Sequence, residues 1–379
     1  MGEERAGSAE WAGRYEQQAI ACDALGSPLW GRLLRVIAHD VLEEGPSWSV
    51  VRERADLRFG QAGPLRLVGA AHRLGLSGAA ERWAALLPSC GGVAPDDDAS
   101  GDSTLRDAWL ALIDLHRDEL VDGLGREVQT NEVGRAVALG YAHAVALGHR
   151  HVLEGAAPAR LIELGCSGGL NLRLDHFRLD LSGAPGAGTV LGDPDGAVRL
   201  APEVRTPLEP GVVTVPLVER TGIDIGPIDP TTEDGRLTLL SFVWPDQLER
   251  FERLAAAIDV ARQVPAHVVQ ADVDGGRSTA HVLDGLLSRP AGPGVATIVQ
   301  HSIVWQYIPT DQRPAVTSVI ERAGRRATAD APLVWIRFEP DEWDRTRVAV
   351  WARRWPDGGD RLIAHGDFHG RWLAPVAAP

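Results

Sequence analysis

The sequence contains no lysine; its 38 lysine-plus-arginine positions are all arginine. The phosphate loop of P-loop NTPases sets a lysine on the phosphates, so that class is excluded. Schiff-base and pyridoxal-phosphate chemistry need a lysine amine and are excluded with it. Cysteine is scarce too: Cys22, Cys90 and Cys166 are widely spaced and odd in number. That argues against a disulfide framework or a cysteine zinc site and suits a reducing cytoplasm. No apolar run reaches the ~18 residues of a membrane span. The opening "MGEERAGSAEWAG" lacks the apolar segment of a signal peptide, so a cytoplasmic protein is expected. A net charge of -14 argues against nucleic acid or an anionic membrane as partner, because both call for basic surface. A homodimer or a heteromeric partner subunit stays open.

What is present falls into two textures. Residues 9 to about 92 carry helical spacing, as in "GSPLWGRLLRVIAHDVLEE" and "GPLRLVGAAHRLGLSGAAERWAALLP". After an acidic turn-rich loop at 91–103, "STLRDAWLALIDLHRDELVDGL" and "NEVGRAVALGYAHAVALGHR" read as helices. No strand is expected before residue 155. From 160 onward, short β-type runs alternate with helices: "ARLIELG", "TGIDIG", "HVVQAD", "VATIVQHS" and "PLVWIRF". Such alternation implies a mostly parallel sheet covered by helices. A hairpin at "PDGGD" and a final strand would add an antiparallel edge. The expected division is a helical domain at 1–155 and an α/β domain at 156–379. A Gly/Pro-rich insertion is expected at about 180–215.

The informative stretch is "RLIELGCSGGLNLRL", residues 160–174. A strand leads into Glu163, then Gly165, Gly168 and Gly169, then a helix-compatible run through Asn171. A glycine turn after the first parallel strand sits where open α/β sheets bind ligands. Two later strand ends carry acids. Asp224 in "RTGIDIGPID" can accept two hydrogen bonds from a ribose diol. Asp272 in "HVVQADVDG" can receive an adenine amino group. The plain alternative is that acids ending strands cap turns.

Candidate chemistry lies around these ends. In "VQHSIVWQYIP", His301 has an ordinary pKa near neutrality and suits a base, with Trp305 and Tyr307 facing a substrate. The plain alternative makes both aromatics packing residues. "QTNEVGR" reads either as a helix start, capped by Thr130 or Asn131 with Glu132 in the first turn, or as a polar lid carrying Asn131 and Glu132 over the pocket. Asp193 in "LGDPDG" reads as a turn residue, with reach to the site as the alternative. No metal site is expected: His149 and His151 do not share a helix face, and His365 and His369 lack a partnering cluster. "GCSGG" also fits a G-x-S-x-G nucleophile elbow, with Ser167 as nucleophile and His301 or His369 as base. That hydrolase reading leaves "GIDIGP" and "VVQAD" unexplained.

The ordered set of glycine turn and two acids resembles the class I S-adenosylmethionine-dependent methyltransferases. Residues 163–169 look like their acid-x-Gly-x-Gly-x-Gly motif, with Ser167 at the middle glycine. "GIDIGP" and "VVQAD" look like their second and third motifs. The chain is also similar, over roughly residues 10–375, to an uncharacterised actinobacterial family, domain of unknown function 2332. Carriers of that likeness include "QTNEVGRAVAL", "ELGCSGGLNLRLDHF", "FVWPDQLERF" and "HGDFHGRWL". The resemblance implies a seven-stranded, Rossmann-type methyltransferase-like sheet. It implies S-adenosylmethionine as cofactor, held by Glu163, Gly165, Ser167, Gly169, Asn171, Asp224 and Asp272. The activity it implies is small-molecule methyl transfer, in a biosynthetic setting such as secondary metabolism. The same fold also serves elimination or cyclisation chemistry, or a partner-subunit role.

Overall fold

A computed structural model describes residues 7–57, 62–147, 157–182, 189–206, 208, 211–213, 215–272 and 276–376. The 155/156 boundary expected from sequence and the His149/His151 pair lie outside the described residues. Packing divides the chain into two compact units, 1–130 with 232–255, and 131–231 with 256–379.

The first unit is helical. Its helices are α1 (Ser8–Ala24), α2 (Pro28–Leu42), α3 (Pro46–Val51), α4 (Gly63–Leu76), α5 (Glu81–Ala84) and α6 (Ala99–Leu124). In α2, Leu29, Trp30, Leu33, Leu34, Ile37 and Val41 are buried at the i, i+3, i+4 spacing of one helix face. Pro28 opens that helix, where a missing N–H costs nothing. Asp246, far along the chain, accepts from Leu29 N (3.0 Å) and Ser27 Oγ (2.5 Å) and so caps α2 from outside it. Asp98 caps α6 through Gly101 N at 2.8 Å. The core is aromatic: Trp30 stacks on Trp83 with centroids 6.3 Å apart, and Trp109 leans on Trp83 at 6.1 Å. After α7 (Ala136–Ala146) of the second unit, the chain returns here with α8 (Glu233–Ser241) and the start of α9 (Leu248–Gln263).

The second unit is built on a large sheet. Its strands are β1 (Ala159–Leu164), β2 (Arg178–Asp180), β3 (Thr189–Gly192), β4 (Arg199–Leu200), β5 (Glu203–Val204), β6 (Gly211–Val213) and β7 (Leu217–Asp224). Further along come β8 (His267–Gln270), β9 (Ala296–Ser302), β10 (Leu333–Pro340), β11 (Val348–Trp355), β12 (Asp360–Gly366) and β13 (Trp372–Pro375). Two more helices, α10 (Thr279–Ser288) and α11 (Arg313–Gly324), cover one apolar layer. There Leu283 and Leu287 of α10 and Val316, Val319 and Ile320 of α11 join Ile162, Leu164 and Val299.

The main sheet has nine strands, in the order β5-β13-β12-β11-β10-β9-β1-β7-β8. Nine strands correct the expected seven. The strand that no sequence pattern announced is β5, two residues that join β13 in parallel. Strands β8, β7, β1, β9 and β10 run parallel. Their order in space is third, second, first, fourth, fifth, so the winding reverses at β1. From β10 onward the chain turns back directly, and β10 to β13 pair antiparallel. The connections there are too short to hold a crossover helix. The antiparallel part was expected; its outer edge is β5 rather than the final strand. The 180–215 insertion is also not a simple loop. Its strands β4, β2, β3 and β6 form a separate small sheet.

Candidate functional site

Strand β1 is buried along its whole length between β7 and β9, the position where the sheet's winding reverses. The crevice beyond the carboxyl ends of such strands is the ligand position of open α/β sheets. The chain leaves β1 in a tight turn. Gly165 N donates to Ile223 O (2.7 Å) and Gly169 N to Cys166 O (2.7 Å). Gly165 has φ +65°. A Cβ there would sit 2.3 Å from Val304 Cγ2, so only glycine fits. Ser167 is also left-handed, at φ +53°, with a side chain where one is disfavoured. The run after the turn is a 3-10 segment, Leu170–His176, not the regular α-helix that a compact dinucleotide unit would use.

Asp224 ends β7 and fixes this turn. Its Oδ2 accepts from Ser167 N (2.7 Å) and its Oδ1 from Gly226 N (2.9 Å). The turn-forming reading of this acid therefore holds in the structure. A carboxylate keeps further lone pairs beyond those two. Asp272 follows β8 and is exposed.

The "QTNEVGR" segment lies on the same turn. Asn131 Oδ1 accepts from Leu170 N (3.0 Å), and Asn171 Nδ2 donates to Glu132 O (3.2 Å). The cap of the 3-10 turn Val133–Arg135 is Glu132, whose Oε1 accepts from Gly134 N (3.0 Å), rather than Thr130 or Asn131. Its Oε2 pairs with His369 Nδ1 at 3.1 Å. Arg135 Nη1 donates to Ser302 O (2.9 Å) and its Nε to Phe368 O (3.3 Å). Burial pushes the Arg135 guanidinium below its ordinary value, and Glu132, Glu339 and Glu163 counter that.

Two polar clusters sit at the ends of β1 and β9. Glu163 is aligned with Gln300 across the β1–β9 register. Burial raises the Glu163 carboxyl to about 8, against the opposing pull of Arg135 and Gln300. Gln300 Oε1 accepts from His143 Nε2 at 2.7 Å. Burial holds His143 neutral, down at about 4. The second cluster is His301 and Glu339. His301 is 1% exposed, its Nδ1 is 2.6 Å from Glu339 Oε1, and its ring stacks on Trp305 at 5.1 Å. Glu339 Oε1 also accepts from Val304 N and Trp305 N, both at 3.1 Å. These bonds hold the turn at Ile303, a β-branched residue at φ +54°.

Several buried polar atoms here have no hydrogen-bond partner: Glu163 Oε2, Ser167 Oγ, Asn171 Oδ1, Gln300 Nε2, His301 Nε2 and Glu339 Oε2. Native proteins leave few such atoms, so a group of them calls for an explanation.

The structure thus brings together Asn131, Glu132, Glu163, Gly165, Ser167, Gly169, Asn171 and Asp224. His301 lies at the neighbouring strand end with its ring enclosed. Trp305 packs against the apolar layer, in line with its plainer reading. Tyr307 is 73% exposed. Asp193 closes a turn, accepting from Asp195 N at 2.9 Å. Ser167 Oγ bonds to no histidine, so no Ser–His pair is assembled. Sequence reasoning missed Gln300, His143 and Glu339 as site residues. Gln300 and Glu339 sit in strand runs that read as pure core, and their polarity near strand ends was the one signal that could have found them. Among the described residues no group of three or more His, Cys, Asp or Glu is placed to hold a metal ion.

These observations define a mixed α/β protein with a large, mostly parallel sheet and a helical N-terminal region. The chain belongs to the family described as "Uncharacterized protein conserved in bacteria" (DUF2332), which matches residues 12–374. No curated protein and no solved structure matches it. Among the described residues no helix is long and apolar enough to cross a membrane.

Proposed function

We propose that the sheet unit binds S-adenosylmethionine at the carboxyl end of β1 and methylates a small molecule. The observation that carries this reading is the set of buried, unpartnered acceptors around the glycine turn: Glu163 Oε2, Ser167 Oγ and Asn171 Oδ1. Such acceptors suit a ligand rich in donors, such as an ammonium group and ribose hydroxyls. The residues present fit the cofactor. Gly165 and Gly169 allow close approach, Asn171 and Glu163 offer acceptors, and Asp224 keeps lone pairs for a diol. Asp272, exposed after β8, is the candidate for an adenine amino group. When bound, the cofactor supplies a methyl group activated on a sulfonium. The chain's contribution is position: it holds donor and acceptor in line, which supplies most of the rate in such reactions.

The test is calorimetry with S-adenosylhomocysteine on the full chain. Wild type should bind, and Asp224→Ala should weaken binding by ~1.5–3 kcal/mol, the scale of hydrogen bonds to a charged group. No heat at millimolar ligand would remove the methyl-transfer reading.

A further inference from the structure

The Glu132–His369 pair is not used by the cofactor reading, yet it couples a buried carboxyl to an imidazole that is 28% exposed, whereas the tighter His301–Glu339 pair has its ring enclosed. Glu132 Oε2 and His369 Nδ1 are 3.1 Å apart, across 237 positions of sequence. With Glu132 as the acceptor of this contact, the ring hydrogen lies on Nδ1, and the unprotonated tautomer of His369 presents a lone pair at Nε2. The carboxylate is fixed: its side chain is 5% exposed, and Gly134 N holds the other oxygen at 3.0 Å. The imidazole is reachable, with its side chain 28% exposed, whereas His301 and His143 are 1% exposed.

The surrounding loop is held as firmly as the pair. A Cβ on Gly134 would fall 2.0 Å from His369 O, and one on Gly370 would fall 2.0 Å from Gly134 O. The two segments are therefore pressed backbone to backbone, and both positions require glycine. Asp367 accepts from Arg371 N (2.6 Å) and Arg371 Nε (2.5 Å), closing the loop on itself. Arg135 ties Phe368 O to Ser302 O at the end of β9. Asn171 donates to the carbonyl of Glu132 itself, so the pair is anchored on the glycine turn.

We propose that His369 is the general base of this site, oriented by Glu132, and that it takes a proton from an O–H or N–H of a neutral small-molecule substrate. The proton moves from the substrate heteroatom to His369 Nε2. The bonding electrons stay on the heteroatom, which becomes the nucleophile. Glu132 balances the imidazolium charge, and the proton then passes to solvent. Glu132 is a positioning residue in this scheme, acting through the ring it orients. The proposal rests on the crevice reading above for its location, but its first test needs no methyl donor.

That first test is nitrogen-15 NMR of the histidine rings of the full chain, with diethyl pyrocarbonate labelling read by peptide mass spectrometry. His369 should be an Nδ1–H tautomer that shifts to Nε2–H in Glu132→Gln, and should label at least ~10-fold faster than His301. An Nε2–H tautomer in wild type, or an unreactive His369, would overturn the proposal. The second test uses turnover with S-adenosylmethionine and a panel of small alcohols and amines. His369→Gln should bind S-adenosylhomocysteine within about twofold of wild type yet lose ~100-fold or more of turnover, the usual contribution of a positioned base. The smaller variant His369→Ala should regain turnover with added imidazole, which a merely structural histidine would not allow. Intact turnover in His369→Gln with the ligand still bound refutes the base but spares the methyl-transfer reading. No ligand binding by wild type refutes methyl transfer, and the tautomer and labelling results then decide the base alone.

Discussion

His72 of the helical unit and His301 of the sheet unit are both enclosed, at 0% and 1% exposure, but they are satisfied differently. Both ring nitrogens of His72 are engaged, Nδ1 with Ser241 O (3.1 Å) and Nε2 with Ser89 Oγ (2.7 Å). His301 uses Nδ1 on Glu339 and leaves Nε2 without a partner. In the helical unit, Trp83 Nε1 donates to Ala71 O and Trp109 Nε1 to Ser47 Oγ, while Trp11 Nε1 and the Tyr15 hydroxyl, one helical turn apart, are buried without a partner. Around β1 and β9, unused acceptors and donors gather at one end of the sheet. Leftover hydrogen-bonding capacity shared by several residues at strand ends and their turn gives a place for a ligand.

The largest expected effect is in the helical unit. Trp83→Ala should destabilise it by ~3–5 kcal/mol, because the side chain is 2% exposed and lies between Trp30 and Trp109. Urea denaturation measures this; a loss under ~1 kcal/mol would mean the aromatic core is not its main support.

Next is Glu163→Gln in the sheet unit. The folded carboxyl titrates at about 8 against an ordinary 4.5. A raised folded value means that its contribution is fully present below 4.5 and is lost as pH climbs toward 8. Replacing the carboxyl by an amide, which needs no protonation on folding, should therefore stabilise the protein by about 3 kcal/mol at neutral pH and leave stability below pH ~4 nearly unchanged. Denaturation curves at acid and neutral pH test it. An unchanged pH slope would show that the buried carboxyl has an unrecognised partner. His72 has the opposite sign: its folded value of about 4 lies under 6.5, so its share of stability is lost as pH falls between them.

Gly165→Ala should cost about 2 kcal/mol, from left-handed strain and the Val304 contact together. It should also weaken S-adenosylhomocysteine. Thermal melting and calorimetry on the same variant would separate the two; normal binding in a destabilised protein would place the ligand away from the turn. The smallest change is Ser167→Gly. It should stabilise by about 1 kcal/mol, since glycine accepts φ +53° without strain, yet weaken S-adenosylhomocysteine, because it removes one of the acceptors offered to the ligand. Equal or tighter binding would remove the Ser167 hydroxyl from the ligand's contacts.

The glycine turn and both strand-end acids were legible because each is a short-range pattern: an apolar run, then a residue that only a turn favours. The helices of the first unit were legible for the same reason. The 3-10 form of residues 170–176 was not, because Leu, Asn and Arg there suit a regular helix equally well. Nor were β5 and the small sheet of the insertion. Strands of two to four residues carry no measurable periodicity. "QTNEVGR" and "HGDFHGRWL" each stood out in sequence, but not their pairing. The only hint was a glycine close after Glu132 and another directly after His369.

By itself the sequence determined the exclusions, the helical first part, the parallel strands and the turn at Gly165. These follow from composition and from neighbours within a few residues, where local sterics and spacing act. Only the tertiary structure decided that Asp224 ties down the turn, that Glu163 is enclosed beside Arg135 and Gln300, and that Glu132 meets His369. Those facts depend on which chain segments lie side by side after folding. Burial and long-range contact, not local preference, set a carboxyl's pKa or a histidine's tautomer.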